Sequence, residues 1–353
     1  MLGIFSRHAG ACWIAVVWVT GWLAVPAAHA QSVAELYEKA KAEGALVFYS
    51  GGPAAPHEAR AKLFMQQFPG ITVSVTGGFS NVLNADIEKQ MAAGAMTVDM
   101  AFFQTVQDFV AWKSRDKLIA FKPEGFDHIY PNLRDPDGAY MALSINALTY
   151  AYNTSKLAAA DAPKSALDFL KPVFAGNVIT CYPADDDATL YLYSLIVKKY
   201  GWEWMDKYMA NKPNFVQGHL DVARGVAAGT NIATFDASSS VWQFKRDGKL
   251  DVVWSTVDDS PLFTLTGGIF KGAPHPNAAK LYLTWFLAKE QQANVGSFSV
   301  RDDVAPPAGF QPIMSYKVAN AYREFVTDAA LIADLRNRFE AYTGPPVNKG
   351  GVR

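Results

Sequence analysis

The chain has 353 residues, of which 50% are hydrophobic, 13% are aromatic and 18% are charged, and its formal net charge is -1. This length and composition predict a folded globular protein large enough for two domains, and they exclude an intrinsically disordered chain. The near-zero charge and the lack of a long basic run in the sequence argue against nucleic acid or an anionic membrane surface as a partner.

The first thirty residues have the pattern of a cleavable signal peptide. An apolar run covers residues 11–25, and Ala28-His29-Ala30 fits a cleavage site before Gln31. The apolar run is short for a membrane span, and the sequence shows no stop-transfer segment after it. We therefore expect export to the periplasm with cleavage after Ala30; an uncleaved membrane anchor is the alternative.

Cysteine and histidine usage predicts neither a disulfide nor a metal site. Cys12 lies in the apolar run, so Cys181 is the one cysteine of the mature sequence and has no partner for an internal disulfide. The mature histidines are scattered and lack zinc-binding spacing. We expect no metal and no cofactor.

Strand-like and helix-like segments alternate along the first third of the sequence. Ser32-Val33-Ala34-Glu35 is a capping box for the first helix, and Ser80 is placed to cap a later one. The predicted strands cover residues 45–49, 71–75 and 98–102, and the predicted helices cover residues 32–44, 56–67 and 80–93. This repeated order of strand, loop and helix predicts a parallel sheet flanked by helices.

The middle of the sequence predicts a crossover and a second α/β set. Residues 140–152 form one extended, mostly apolar stretch that would reach about 43–47 Å, longer than a typical strand, so we expect it to pass from one lobe to another. Residues 262–270 are expected to form a second crossover that brings the chain back to the first lobe. Asn277 is placed to cap a buried helix that runs to about residue 290. Further strands are predicted over residues 177–181, 231–235 and 250–254, and further helices over residues 188–200, 221–228 and much of 315–342.

Several motifs together resemble one protein family. Residues 271–280 read Lys-Gly-Ala-Pro-His-Pro-Asn-Ala-Ala-Lys, and Phe286-Leu287-Ala288-Lys289-Glu290-Gln291-Gln292 follows shortly after. The opening Phe48-Tyr49-Ser50-Gly51, the Tyr152-Asn153-Thr154 after the first crossover and Val300-Arg301-Asp302-Asp303-Val304 also match. With its exported N-terminus, the chain resembles an extracellular solute-binding protein of a bacterial ABC importer, in the group that includes ferric-iron, thiamine and phosphonate binding proteins.

The resemblance implies an α/β fold of the periplasmic-binding-protein type (type II-like), in which two α/β lobes are joined by two crossover strands with a ligand cleft between them. Residues 31–143 and 262–300 would form lobe 1, residues 144–261 lobe 2, and residues 301–353 a C-terminal helical segment packed on the lobes. It also implies a monomer that closes on a small-molecule solute by a hinge and delivers it to an inner-membrane permease.

The first wall of the predicted cleft consists of small or polar residues at three strand exits. Glycines allow the backbone to approach a ligand closely, and a serine at a helix start offers a hydroxyl beside free N–H groups. Ligands of open α/β sheets bind at such exits. The alternative is that these are ordinary turn and cap residues. The predicted ligand-binding residues here are Ser50, Gly51, Gly52, Phe79, Ser80 and Gln104.

The opposite wall is predicted from two exits of the second set and from the crossover. Capping of the next helix is the alternative for the run Asp185-Asp186-Asp187. Ser144 and Asn146 lie on the same face of the crossover strand, because side chains alternate between its two faces. That face is either the cleft or the outer surface. The predicted ligand-binding residues of this wall are Asn146, Asp186, Asp187, Thr189, Asp236, Ser238 and Ser239.

The segment 235–242 bears on the kind of solute. Ferric-binding members of the group carry an adjacent tyrosine pair in lobe 2, because phenolates are hard oxygen donors for a hard cation. Here the segment holds Asp236 and serines but no tyrosine, and no Tyr-Tyr pair occurs in the sequence. Hydroxyls and helix N-termini suit a small organic anion such as a carboxylate or phosphonate. A ferric-iron or iron-chelate binding protein remains the alternative.

Four further side chains have two interpretations each. Phe79, Phe103 and Trp242 either form an apolar wall for an organic solute or pack in the core. Arg301 is either a charge partner for an anion or a member of an ordinary ion pair.

An enzyme is the competing class of protein. Cys181 ends an apolar strand, where a nucleophile could lie, and His219 is a candidate base, although no spacing supports their pairing. A lone cysteine at such a position is more often buried structure. We therefore expect a binding protein without catalytic residues. A receptor for a membrane sensor would share the same fold and site.

Overall fold

Helices and strands alternate along the first third of the chain in the predicted order. The computed structural model describes Gly3 and residues 32–347, so the predicted signal peptide and the last residues of the chain lie outside the described part. The first elements are α1 (Val33–Glu43), β1 (Ala45–Gly51), α2 (Ala55–Gln67), β2 (Thr72–Gly78), α3 (Ser80–Ala93), β3 (Met100–Phe103) and α4 (Val106–Ser114).

The capping box of α1 is confirmed. Ser32 Oγ accepts a hydrogen bond of 3.2 Å from the Glu35 amide, and Glu35 accepts one of 3.1 Å from the Ser32 amide. Gly44 ends the helix with a φ of 74°, a left-handed conformation that glycine adopts without steric cost. The local signals at both ends of this helix therefore decide its length.

The remaining elements follow the predicted sequence of strands and helices with a few additions. The strands are β4 (Leu118–Ile119), β5 (Met141–Ala147), β6 (Thr149–Asn153), β7 (Ile179–Cys181), β8 (Asn214–Val216), β9 (Ala233–Ala237), β10 (Leu250–Val253), β11 (Ser260–Phe270) and β12 (Val318–Ala319). The helices are α5 (Asp187–Tyr200), α6 (Trp202–Ala210), α7 (His219–Ala227), α8 (Trp242–Arg246), α9 (Pro276–Leu287), α10 (Lys289–Ala293), α11 (Tyr322–Thr327) and α12 (Ala329–Thr343). The short strands β4, β8 and β12 were not predicted.

The larger sheet has the order β12-β11-β3-β1-β2, and β4 and β5 also pair with β11. Strand β1 is parallel to both β2 and β3, as the strand–loop–helix pattern predicts. Strand β11 is antiparallel to β3 and β5. The carboxyl ends of β1, β2 and β3 therefore lie side by side at one edge of this sheet.

The second sheet consists of strands from the middle of the chain. β10, β6 and β9 form an antiparallel sheet, and β7 pairs with β8 in parallel. A parallel bridge between Val178 and Ala233 links the two groups. The predicted second set of strands thus forms a sheet apart from the first.

The predicted long strand over 140–152 is interrupted. β5 pairs in the larger sheet and β6 in the second, and Leu148 lies between them with its amide bonded to Pro261 O at 3.1 Å. The chain changes sheets at this residue, so the prediction of one uninterrupted strand was wrong. The passage between the sheets does lie where the crossover was predicted. The residue boundaries of the two lobes stay a prediction.

The helix α9 is buried almost all round, as predicted, but its start differs. It begins at Pro276, and Asn277 does not cap it, because the Asn277 amide and side chain both donate to Glu43 at the end of α1. Tyr282 packs on Phe48 and Phe64, with ring centroids 5.4 and 4.9 Å away. This aromatic packing joins α9 to β1 and α2.

The C-terminal helices dock on the second sheet's helices. Phe339 of α12 is fully buried and packs on Tyr193 and Trp202, with ring centroids at 5.4 and 4.9 Å. The predicted helical tail is confirmed as α11 and α12. From Ser32 to Val347, the structure contains no helix with the length and apolar character needed to cross a membrane.

Candidate functional site

Three strand exits of the larger sheet meet at one edge. The β1–β2 register pairs Gly51 with Gly78, and the β1–β3 register pairs Ser50 with Phe102. The loop after β1, the start of α3 and the loop that holds Gln104 are therefore neighbours. The structure brings the predicted residues of the first wall together.

The strand exits are packed so closely that a side chain at Gly51 or Gly77 would require neighbouring atoms to move. A Cβ on Gly51 would lie 2.5 Å from Ser80 Oγ. A Cβ on Gly77 would lie 2.4 Å from the Ala54 amide nitrogen and 2.7 Å from Gly52 O. Separations below 3.0 Å force atoms to move, and in the second case the atoms belong to the backbone. The glycines here serve to hold the two exits against each other.

Phe79 and Ser80 stand at the start of α3 beside this edge. The Phe79 side chain is 74% exposed, which is unusual for a large apolar residue and leaves its ring free to meet a solute. The prediction that Ser80 caps the helix was wrong: Phe79 occupies the cap position, and Ser80 is the first helical residue and makes no side-chain cap within the described residues. Its hydroxyl instead lies over Gly51.

Gln104 lies between β3 and α4, and the other candidate aromatics are not available to a solute. Phe103 is fully buried. Trp242 stacks on Phe310 with ring centroids 5.0 Å apart and packs edge-on against Phe298 at 5.5 Å. Core packing therefore explains Phe103 and Trp242, and Phe79 alone of the three contributes an exposed apolar surface.

Asp186 and Asp187 are both engaged at the start of α5. Asp186 accepts from the Thr189 amide at 2.9 Å, so the capping interpretation holds for it. Asp187 accepts from Arg336 at 2.5 Å and from Gln107 at 2.8 Å. Gln107 belongs to α4 beside the larger sheet, so this carboxylate joins the two sides of the molecule.

Asp236 lies inside β9, where the sequence predicted an exit loop. The strand extends to Ala237, and alternation along it turns the Asp236 side chain inward, where it is fully buried. One carboxylate oxygen accepts from the Cys181 amide at 2.8 Å and from Thr180 Oγ1 at 3.1 Å. Thr189 is also fully buried and donates to the same oxygen at 3.2 Å. These two residues lie beneath the wall, and their direct contact with a ligand stays a prediction.

His219, named from the sequence as a candidate base for Cys181, lies beside that cysteine although no spacing supported their pairing. It begins α7, and its Nδ1 lies 3.6 Å from Cys181 Sγ and 3.5 Å from Asp236 Oδ1, while its Nε2 lies 3.5 Å from Asp186 Oδ1. The sequence separations gave no sign of this cluster, because β7, the start of α5, α7 and β9 each contribute one residue to it.

Charges within this cluster shift several pKa values. Burial alone would lower the pKa of His219, but the neighbouring Cys181, Asp186 and Asp236 side chains outweigh burial and raise it well above its usual value. Burial alone would raise the pKa of Asp186, but the His219 imidazolium lowers it to about 2. Burial raises the pKa of Asp236. His219 and Asp186 therefore form a buried ion pair.

Cys181 has the properties of a buried structural thiol. It is 1% exposed, and burial raises its pKa to about 12. The thiolate that a nucleophile requires is thus strongly disfavoured in the protein as it stands.

Asn146 and Ser239 meet at a second place. Ser239 Oγ donates to Asn146 Oδ1 at 2.7 Å, across the junction of the two sheets. Both line a cavity of about 10 Å³ together with aromatic side chains, enough for about one water molecule but not for an organic solute. Ser238 and Ser144 are nearly buried. The contact joins the crossover to the segment after β9.

Arg301 belongs to an ordinary ion pair. It is 5% exposed, donates to both carboxylate oxygens of Asp303 at 2.8 and 2.9 Å and to Leu287 O at 2.9 Å. Its donors face these partners, so the structure favours that interpretation over an anion contact.

Asp108 is an acidic residue that the sequence did not single out. It accepts from Asn84 at 2.9 Å and from Thr105 at 2.6 Å. Burial, together with the nearby Asp187 charge, raises its pKa to about 6. It lies on α4, one residue from Gln107, so the contact region between the two sides carries a carboxyl group that titrates near neutral pH.

Comparison with known proteins gives a consistent family and fold. The sequence model of the family described as bacterial extracellular solute-binding protein matches residues 59–314. A curated relative, an Fe(3+)-binding periplasmic protein of Serratia marcescens, is 22% identical over 269 residues, which cover 72% of this chain and 77% of that protein.

Solved structures show the same fold at low sequence identity. Iron-bound HitA from Pseudomonas aeruginosa superposes with a TM-score of 0.69 at 18% identity, covering 84% of this chain and 99% of that one. The periplasmic binding protein AfuA from Actinobacillus pleuropneumoniae, with fructose-6-phosphate bound, has a TM-score of 0.69 at 20% identity, covering 85% and 98%.

Proposed function

Because the chain belongs to the family of bacterial extracellular solute-binding proteins, we propose that it is the periplasmic binding component of an ABC importer. It captures a small solute between the two sheets, closes on it and passes it to an inner-membrane permease, without chemical change to the solute. Its fold is that of the periplasmic binding proteins.

The observation that carries this proposal is the edge where β1, β2 and β3 end. Glycine-rich exits lie side by side there, the Ser80 hydroxyl lies over Gly51, and Phe79 is 74% exposed next to them. An exposed aromatic ring beside a hydroxyl at a helix start offers an apolar face and a polar group to the same small molecule.

We propose a small organic anion as the solute. The starts of α3 and α4 lie at this edge, and helix N-termini favour negative charge. The nearby carboxylates do not oppose it, because Asp186 is paired with His219 and Asp187 with Arg336. The AfuA structure with fructose-6-phosphate bound is in line with this class.

Ferric ion is the second candidate, favoured by the iron-bound HitA and the Fe(3+)-binding relative. Against it, the segment 235–242 holds no tyrosine, so two hard phenolate donors are missing there.

A thermal-shift screen tests the proposal. The protein is unfolded, refolded to remove bound ligand, and mixed with carboxylates, phosphonates, sugar phosphates, thiamine, ferric ion and ferric citrate. A solute that binds the folded state at 100 times its Kd adds about 2.7 kcal/mol of stability. We expect an organic anion to raise Tm. If only free ferric ion stabilised the protein, the proposal of an organic anion as the solute would be wrong.

Matched serine variants locate the site. Ser80→Ala removes a hydroxyl at the edge and is expected to weaken binding of the hit by about tenfold or more, the loss of one hydrogen bond to a charged group. Ser114→Ala removes an exposed hydroxyl at the far end of α4, which bonds only Ala111 O. Equal affinities of the two variants would place the solute elsewhere. Light scattering on the same samples tests the expected monomer.

A further inference from the structure

Beneath the second wall, three side chains of metal-binding type converge from separate elements. Cys181 ends β7, His219 begins α7 and Asp236 lies in β9. Their donor atoms all lie within 4.8 Å of one another. We propose that Cys181, His219 and Asp236 form a binding site for a zinc-class divalent metal ion.

Two of the three donor separations match the edges of a tetrahedral site. Cys181 Sγ lies 3.6 Å from His219 Nδ1, which lies 3.5 Å from Asp236 Oδ1. With zinc–sulfur bonds of about 2.3 Å and zinc–nitrogen or zinc–oxygen bonds of about 2.0–2.2 Å, tetrahedral geometry gives edges of about 3.3–3.7 Å. Cys181 Sγ and a carboxylate oxygen of Asp236 also lie within 4.8 Å of each other, so the three donors surround one position.

The outer partners also have the arrangement that metal sites use. Asp186 faces the second nitrogen of His219 at 3.5 Å, which gives a carboxylate–histidine–metal order. The second oxygen of Asp236 is fixed by the Cys181 amide and Thr180 Oγ1, at 2.8 and 3.1 Å, so that Oδ1 is the oxygen turned toward His219. Two of the three ligands are thereby oriented by a neighbour.

A purely hydrogen-bonded cluster explains the contacts less well. Charge-assisted hydrogen bonds between nitrogen and carboxylate are normally about 2.7–2.9 Å. The separation between His219 Nδ1 and Asp236 Oδ1 is 3.5 Å. This separation is longer than such a hydrogen bond and suits two ligands of one ion.

The donor set selects the metal class. A thiolate with an imidazole and a carboxylate suits zinc, whereas magnesium and calcium prefer oxygen ligands alone. The thiol proton leaves to solvent when the metal binds. The His219 side chain is 13% exposed, and we assign the fourth position of the tetrahedral ion to water. The site is independent of the solute proposed above.

Zinc titration of the purified protein without solute, under reducing conditions and with a chromophoric competitor, tests the site. We expect one tight Zn²⁺ per chain, at least 100-fold weaker binding in Cys181→Ser, and 10- to 100-fold weaker binding in Asp186→Asn, which keeps the helix cap. The control is His128→Gln, which disrupts the exposed group His128, Asp302 and Asp303. No one-to-one binding, unchanged binding in Cys181→Ser, or loss in His128→Gln would overturn the proposal.

Cobalt substitution gives a readout that needs no variant to fold. Co²⁺ bound in the unaltered protein is expected to show a thiolate-to-metal charge-transfer band in the near ultraviolet and the strong visible bands of tetrahedral cobalt. A spectrum without the thiolate band would exclude Cys181 as a ligand and overturn the proposal.

Discussion

Gly77 and Gly78 are adjacent at the end of β2, yet their surroundings differ. A Cβ on Gly77 would lie 2.4 Å from the Ala54 backbone nitrogen, whereas on Gly78 the nearest atoms belong to Leu83 at an ordinary 3.6 Å. Neither has a positive φ. The sequence placed Phe79 and Ser80, which follow these glycines, in the first wall, but only the structure shows which glycine the packing requires.

Gly77→Ala should therefore destabilise the protein by about 1–3 kcal/mol, because the loop after β1 must move away from the new methyl group. Gly78→Ala is the matched control and should change the free energy of unfolding by less than about 1 kcal/mol. Urea denaturation of both variants measures the difference. Equal losses would mean that the two exits are not packed as described.

His57 lies against Phe48 and Phe102, with ring centroids 6.2 Å from each. Burial, helped by the positive charge of Arg60, lowers its pKa to about 4. Between about pH 6.5 and pH 4, His57 is therefore protonated in the unfolded chain but not in the folded chain. The free energy of unfolding falls as the pH falls through this window.

His57→Gln removes this linkage. The free energy of unfolding of the wild type, relative to the variant, should fall by about 3 kcal/mol from pH 7 to pH 4. Denaturation at several pH values measures the difference. A constant difference across the window would contradict the buried, neutral state of His57.

At the level of elements, local sequence signals predicted where a helix begins and ends, but they did not predict which residues of other elements a polar side chain would contact. The capping box and Gly44 set the ends of α1 from sequence alone. Asn277 has the residue type of a cap, but Glu43 of α1, which lies 234 residues away in sequence, binds it instead. Asp236 was placed in a loop because the apolar run stops before it, whereas β9 continues through it. A polar residue whose partners come from other elements looks like a loop residue in the sequence.

The docking of α12 gives an element-scale prediction. Phe339 is fully buried between Tyr193 and Trp202, so Phe339→Ala should destabilise the protein by about 3–5 kcal/mol through lost burial and a cavity. Leu331 on the same helix is 40% exposed, and Leu331→Ala should cost about 1 kcal/mol or less. Thermal unfolding compares them. Similar losses would mean that α12 is not anchored through Phe339.

For the whole molecule, the sequence predicted the α/β class, the parallel exits and the place where the chain changes sheets. It did not predict which distant side chains meet. Arg336 and Asp187 are 149 residues apart, and Cys181 and His219 are 38 apart on different elements. Such contacts depend on the packing of helices against two sheets, which the local periodicity of a sequence does not encode.

The bond between Gln107 and Asp187 has a consequence for solute release. It is 2.8 Å long and joins α4, beside the larger sheet, to α5, beside the second sheet, so it exists only where the two sides approach. A hydrogen bond to a carboxylate contributes about 1.5–3 kcal/mol. If the solute is held between the sheets, losing this bond lowers the population of the closed state and speeds release.

Gln107→Ala should therefore raise the solute dissociation rate by about tenfold and change the association rate much less. Ser114→Ala, at the other end of α4, is the control and should release solute at the wild-type rate. Stopped-flow displacement with the ligand found in the screen measures both. Wild-type release from Gln107→Ala would show that the contact forms independently of the bound solute. Because Asp187 also binds Arg336, its charge stays compensated in this variant, and a change in release then reports the lost link between the two sides.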